Sequence, residues 1–483
     1  MSLNKKIKND DFISLDYNRI KDEVRDNINY QPKKQTIFHN KYMRLSIITI
    51  LVVFMGLFSI IAMNTWFVGE KFLQVSAAEK IELNYNDFKD EGYNQFLKKM
   101  NEFSAELSEQ IYLNYDKKEE NYVISPVSIY MALAMCVESG SDEIREELLN
   151  ALGMTYEEVY KYTKVLFSSL NDEASAKTAF GDKVMYREIM ANSIWIDKYI
   201  KLKKEGLMEL SRNYHCSSYS VPFYDDNEKA NNAIREYVKD NTKGLIDQDF
   251  EISKETLFTL INTYYLKDVW NYEGEELQFG STRYLFNNLI ETRLLEGYYE
   301  LGRPYEADKY THFYTKTNHN IKIKFIVPKE GYTINDIYTS EVLKEVNSIS
   351  DYNPYDDIKQ EKYITRCLFP MFEAEFNYDI KDILITGFNI NNFFEFGKNM
   401  TNLTEKVVKC ESIQHVTKLR VDEEGIEGSA ATVLPIVGES GPDSYKEICL
   451  DYIVDKNFIV IVTDSYDVPL FSGVIYDIIK HIK

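Results

Sequence analysis

Cysteine is scarce in this chain of 483 residues: there are five, at positions 136, 216, 367, 410 and 449, and no two stand close enough for a CxxC pair. An odd, scattered set excludes a disulfide framework or a cysteine zinc cluster and reads as small core residues. Ten prolines and 20 glycines exclude collagen-like and linker-dominated chains. Positive charge is also short. Lys+Arg 56 against Asp+Glu 77 leaves a net of −21, which argues against nucleic-acid binding. The six histidines, at 39, 215, 312, 319, 415 and 481, show no metal-ligand spacing, so no metal and no other cofactor is expected. No GxSxG elbow, HExxH, GxxxxGKS/T or GxGxxG occurs, and no acidic pair has a spacing diagnostic of catalytic carboxylates. Nothing here argues for an enzyme.

What is present begins with one apolar run. Residues 1–44 carry ten Lys/Arg and six Asp/Glu; the rest of the chain carries 46 and 71. Between these regimes, Leu45 to Met63 is 19 residues without a charge, and the uncharged stretch continues to Gly69. At about 1.5 Å per residue that crosses a hydrocarbon core of ~30 Å. Trp66 and Phe67 stand where interfacial aromatics belong. Lys33, Lys34, Lys41 and Arg44 precede the run, whereas Glu70 and Lys71 follow it, which places the N-terminus in the cytoplasm. The expected organisation is a disordered cytoplasmic tail over 1–42, a transmembrane helix over 43–68, an extracellular stalk over 69–94 and an extracellular domain over 95–483. The protein would then be single-pass at the cell membrane. A cleaved signal peptide is the rival, with Val75-Ser76-Ala77 before Ala78 as the processing site. The 44 residues ahead of the apolar core favour an uncleaved anchor.

Beyond the run, helical spacing is clear at Phe96, Met100, Phe103, Leu107 and Ile111, over Ser128–Cys136, after the cap Ser141, and over Asn227–Asn241. Strand-like runs are Ala191–Ile196, Thr256–Leu266, Ile321–Val327, Phe369–Phe376, Ile413–Val421 and Phe458–Val462. Helices cluster early and strands dominate later, which suggests one large α+β domain with antiparallel sheets. The unusual stretch is 421–442. At period two, Ile426, Gly428, Ala430, Thr432, Leu434 and Ile436 form one face. A plain flexible connection with accidental alternation is one reading; a loop able to become a strand is the other.

Several separated motifs then resemble the serpin family, in that family's order, over about residues 95–483. They are Asn121-Tyr-Val-Ile-Ser-Pro-Val-Ser-Ile129, Asn241-Thr-Lys-Gly-Leu-Ile246, Asn262-Thr-Tyr-Tyr-Leu-Lys-Asp-Val-Trp270, Tyr378-Asp-Ile-Lys-Asp-Ile-Leu384, His415 with Val421-Asp-Glu-Glu-Gly425, and Pro469-Leu-Phe-Ser-Gly-Val474. The resemblance implies a serpin fold of three β-sheets, about nine helices and an exposed reactive loop. It implies a suicide substrate of serine proteases, acting by loop cleavage and insertion into the main sheet, as a monomer. By the same resemblance, Ser125, Ser128, Asn262 and His415 are the polar shutter of that sheet. Trp270 and Glu423 are the breach where insertion starts. Glu423, Gly425, Ile426, Glu427, Gly428, Ser429, Ala430, Ala431 and Thr432 form the hinge. The family spacing places the scissile bond at Glu439–Ser440, sixteen residues beyond Glu423, and so implies a glutamate-specific target. The abundance of Tyr, Asn, Ile and Lys suggests an AT-rich genome and a bacterial-type member.

Departures from the family pattern bear on function. Ile426 stands where Thr or Ser is usual, Gly428 where Ala is usual, and Pro435 cannot donate to a central ladder. Met371 replaces the Lys expected to pair with Glu423, with Arg366 as a candidate substitute, and Asp268 replaces a glycine. The stretch from Glu439 to Phe458 is long, which keeps Val437, Asp443 and Tyr445 as alternative cleavage points. A non-inhibitory serpin-fold binding protein, cleaved as an ordinary substrate, is the competing function.

Overall fold

The computed structural model describes residues 72–116, 119–178, 181–270, 277–349, 355–356, 358–397, 399–410, 412–426 and 445–479. All belong to one of the chain's two structural units, Val68–Lys483. The expected transmembrane helix, the hinge from Glu427 onward and the Glu439–Ser440 bond lie outside the described residues. Among the described residues no helix is long and apolar enough to cross a membrane.

Local chemistry sets the helices. Ser125 caps Pro126–Ser139, accepting the Ser128 N–H, and Pro126 occupies the first turn, where its missing N–H costs nothing. Ser141 caps Asp142–Leu152, which stops at Gly153 in the left-handed region. Thr155 and Glu158 form a capping box at the start of Tyr156–Ser169. The apolar period from Phe96 to Ile111 lies within the long helix Glu91–Asn114. Nine α-helices are present among the described residues.

The strands form three sheets. A six-stranded sheet runs Tyr122–Ile124, Pro469–Ile475, Phe458–Thr463, Lys322–Pro328, Tyr310–Lys316 and Tyr305–Glu306. Its centre is buried on both faces, hence the unbroken apolar runs. Gly473 is required there because a Cβ would overlap the Tyr122 carbonyl on the neighbouring strand. A five-stranded sheet holds Tyr355–Asp356, Glu361–Phe369, Ile290–Leu301 and Phe279–Phe286, with Lys446–Ile453 pairing in parallel with Glu361–Phe369.

The eight-stranded sheet positions the candidate site. Its order is Leu73–Val75, Cys216–Val221, Gly181–Asp197, Phe258–Val269, Gly425–Ile426, Gln414–Val421 and Phe372–Asp379, with Asp172–Thr178 alongside Gly181–Asp197. Its first strand comes from the stretch read in the sequence as a stalk. Residues 72–81 are fastened to the domain rather than standing free of it. Leu73 and Val75 pair with Tyr219 and Ser218, the Ala78 N–H donates to the Ser211 carbonyl, and the Ile81 N–H donates to Ser168 Oγ.

Candidate functional site

The site is the gap between two long strands of the large sheet. Phe258–Val269 and Gln414–Val421 share no ladder; among the described residues only Gly425–Ile426 lies between them. At that level the two strands stand one strand apart, roughly twice the ordinary 4.8 Å spacing. The chain enters this slot through a tight turn. Asp422 donates its N–H to the Gly425 carbonyl at 3.1 Å, and its Oδ1 accepts the Glu424 N–H at 2.9 Å. Its other carboxylate oxygen accepts from Arg420 Nε at 2.7 Å. Ile426 then pairs with Val421 on one side and Asp268 on the other, and Gly425 pairs with Val269. A Cβ at Gly425 would overlap the Asp268 carbonyl, so only glycine lets the backbone pass. Ile426 is fully buried, a reason for an aliphatic residue where Thr or Ser is usual in the family.

Trp270 and Glu423 flank that entrance. The Trp270 indole N–H donates to the Asp422 carbonyl at 2.8 Å, and the ring packs on Phe369. The Glu423 carbonyl accepts the Leu277 N–H at 2.7 Å. Among the described residues Glu423 makes no ion pair. Met371 is buried and bridges to Ile479. Arg366 is not the substitute partner that the sequence suggests: it pairs with Asp451 at 2.6 Å and Glu296 at 3.2 Å. Asp268, in the glycine position, is wholly buried and satisfied by the His319 N–H at 3.0 Å, His319 Nδ1 at 2.8 Å and Thr317 Oγ1.

Midway down the slot, four polar residues singled out from the sequence meet. The Ser125 N–H donates to His415 Nε2 at 3.0 Å, and the Ser128 N–H reaches Ser125 Oγ at 3.4 Å. Ser128 Oγ donates to Asn262 Oδ1, and Asn262 Nδ2 donates to Asn192 Oδ1 at 2.7 Å. Asn192 Nδ2 closes the chain on the Tyr214 carbonyl at 2.6 Å. The network joins both walls of the slot to the helix Pro126–Ser139 beneath them. Asn192 in this network and Asp422 in the entrance turn are the two residues that sequence reading leaves without a role. A buried polar residue inside the strand run Ala191–Ile196 was the available signal for Asn192.

His415 is buried, and burial pushes its pKa down from an ordinary 6.5 to about 3. Nε2 accepts a hydrogen bond, so the neutral ring carries its proton on Nδ1. The folded state resists protonation while the unfolded state takes it up near pH 6.5. This contribution is therefore whole above pH 6.5 and drains away as pH falls towards 3. It costs about 2–3 kcal/mol at pH 4.5. His415→Gln keeps an acceptor for Ser125 but cannot titrate. Denaturant midpoints at pH 7 and pH 4.5 should differ less for this variant than for wild type; equal differences would refute the assignment.

The chain matches the family Serpin (serine protease inhibitor) over residues 98–478. An uncharacterized serpin-like protein of Methanosarcina mazei is 24% identical over 345 residues, covering 69% of this chain and 75% of the relative. Alpha-1-antiproteinase S of Cavia porcellus is 23% identical over 385 residues, covering 76% and 86%. Among solved structures, the thermophilic serpin tengpin in its native state superposes with a TM-score of 0.62 at 20% identity, covering 84% of this chain and 98% of tengpin. Human thyroxine-binding globulin complexed with thyroxine gives a TM-score of 0.62 at 19% identity, covering 80% and 100%. The chain belongs to the serpin family, whose members are in general protease inhibitors that target serine proteases rather than enzymes.

Proposed function

We propose that this serpin is a suicide-substrate inhibitor of a glutamate-specific serine protease. It acts as a monomer, held at the outer face of a bacterial cell membrane by residues 43–68, with 1–42 in the cytoplasm. The observation carrying the inhibitory reading is the seating of Gly425–Ile426 in the slot, in antiparallel register with Phe258–Val269. Continuing that register brings Gly428 opposite Leu266 and Leu419, and Ala430 opposite Tyr264 and Thr417. Thr432 then falls between Asn262 and His415, and Leu434 between Leu260 and Ile413. The buried side of Ile426 fixes the parity, so the small and apolar face of 426–436 turns inward. Pro435 falls opposite Thr259, next to the first paired residue Phe258, so its missing N–H affects the end of the ladder rather than its middle.

In this mechanism Ser125, Ser128, Asn262 and His415 govern parting of the sheet. Trp270 and Glu423 mark its entrance, and 423–432 is the moving hinge. The protease serine attacks the Glu439 carbonyl, its histidine takes the hydroxyl proton, and Ser440 leaves as the new amine. The freed chain enters the slot and carries the acyl-enzyme with it. Displacing one oxyanion donor of the protease costs ~10²–10³ in rate, which strands the ester. Incubation of the full chain with a glutamyl endopeptidase, read on denaturing gels, should give a covalent adduct. Cleaved chain without adduct would establish the second reading, a binding protein cut as an ordinary substrate, which Gly428 and Pro435 favour.

A further inference from the structure

A cavity of about 300 Å³ is lined by none of the residues of the slot. It lies where the end of the helix Pro126–Ser139 meets the start of the helix Lys204–Tyr214 and the loop 401–402. Gly206 lets these parts close, because a Cβ there would overlap the Asn402 carbonyl. The loop is tied down from the other side. Asn402 Nδ2 donates to the Glu138 carbonyl at 2.8 Å, and the Asn402 N–H donates to the Ser139 carbonyl at 3.2 Å. The walls are therefore fixed by backbone contacts, and a volume of this order suits a small ligand.

The lining is acidic, and its charge is unanswered. Glu138 is 7% exposed, and its Oε2 accepts from the Tyr156 hydroxyl at 3.1 Å and the Tyr214 hydroxyl at 3.2 Å. Among the described residues its Oε1 has no hydrogen-bond partner and the carboxylate has no ion pair. Burial pushes its pKa up against the pull of the two hydroxyls and Arg145, and Glu209 pushes the same way as burial. Arg145 itself is spent on the Val137 carbonyl at 3.2 Å and on Asp142 at 3.0 Å. Glu205, exposed, and Glu209, half-buried, stand four residues apart on one helix face, where like charges repel. Glu209 accepts from Asn213 Nδ2 at 2.9 Å and has Arg212 at 3.8 Å. Lys203, the one lysine of the lining, turns to other acceptors: its ammonium donates to the Thr401 carbonyl at 2.8 Å and pairs with Glu405. A buried carboxylate with one oxygen unmatched is costly, and a cation bearing its own N–H donors removes that cost. Among the described residues no group of three or more His, Cys, Asp or Glu could hold a metal ion, so the cation that fits is organic. A primary ammonium offers three N–H donors from a single point charge.

We propose that this cavity is a binding site for a small primary alkylammonium, which donates to Glu138 Oε1 and shares its charge with Glu205 and Glu209. The site goes beyond the inhibitory reading and stands whether or not the loop enters the sheet. The test titrates n-butylammonium chloride into the full chain, held in a non-ionic detergent, by isothermal titration calorimetry. Tetramethylammonium chloride at the same ionic strength is the comparison, because it carries the charge without an N–H. Butylammonium should bind at least about tenfold more tightly, since a hydrogen bond to a charged group is worth a factor of about ten or more. Glu138→Gln keeps the shape of the side chain and an acceptor for the two tyrosines but loses the charge, and should weaken butylammonium binding at least about tenfold. Glu205→Gln combined with Glu209→Gln, on the outer wall, should weaken it about fivefold, each exposed charge being worth a factor of about two. That pair keeps the test decisive should Glu138→Gln fail to fold. No heat from butylammonium and wild type overturns the site. So does equal affinity for the two cations, which would mean charge attraction alone. Unchanged affinity in Glu138→Gln, or in the outer pair, overturns it as well.

Discussion

Nicking the chain between Glu439 and Ser440 is expected to raise its melting temperature by on the order of 20 °C. Each residue inserted between two strands makes two ladder hydrogen bonds worth ~1 kcal/mol net apiece. It gives up ~1 kcal/mol of backbone freedom. In the proposed insertion about ten residues, 427–436, would fill the length of slot from Ile426 to the Phe258 level, so the net gain is on the order of 10 kcal/mol. Inward burial of Leu434 and Ile436 adds to it, and Gly428, with no side chain to pack, subtracts about 1 kcal/mol. For a domain of this size ~1 kcal/mol moves the midpoint by roughly 2 °C. Calorimetry of the full chain before and after glutamyl endopeptidase treatment, with the cut mapped by mass spectrometry, decides the matter. Identical midpoints would mean that the loop never enters the sheet.

Thr432→Arg is expected to convert the inhibitor into a substrate, lowering the yield of covalent adduct by about 100-fold while cleavage continues. In the proposed insertion the register continued from Ile426 would carry this side chain inward between Asn262 and His415, where a guanidinium would lose its water without gaining a carboxylate. An unpaired buried charge costs several kcal/mol, and ~3 kcal/mol is a factor of ~100. Val433→Arg is the control for parity, because alternation turns residue 433 to the outer face. It should still trap. Equal trapping by Thr432→Arg and wild type would break the register, and equal loss in both variants would show that charge anywhere in the loop is harmful.

Much of this architecture is legible in the sequence. The periodic apolar residues of Glu91–Asn114 and Asn227–Asn241, the Ser141 cap, and the runs that became Phe258–Val269 and Gln414–Val421 are short-range signals, and they lie where expected. The contacts of His415, Ser125, Ser128 and Asn262 also follow the motif order. What escaped was set by long-range pairing. Nothing near Leu73–Val75 announces an edge strand, because its partner Cys216–Val221 is more than a hundred residues away. Arg366 looked available for Glu423 until Asp451 and Glu296, on two other strands, claimed it. Asp268 looked like a damaged glycine; its fitness depends on His319 and Thr317, fifty residues on. Asp422 sat inside a quoted motif without a role, since a turn-closing carboxylate is recognisable only once the turn is seen.

The polarity of the slot has a mechanical outcome. A peptidase riding on Glu439 would be hauled from the Val269 level of the sheet to the Phe258 level, the end at which the Phe72 carbonyl holds the Ser220 N–H. Over the twelve residues of Phe258–Val269 that journey is roughly 36 Å at ~3.3 Å per residue.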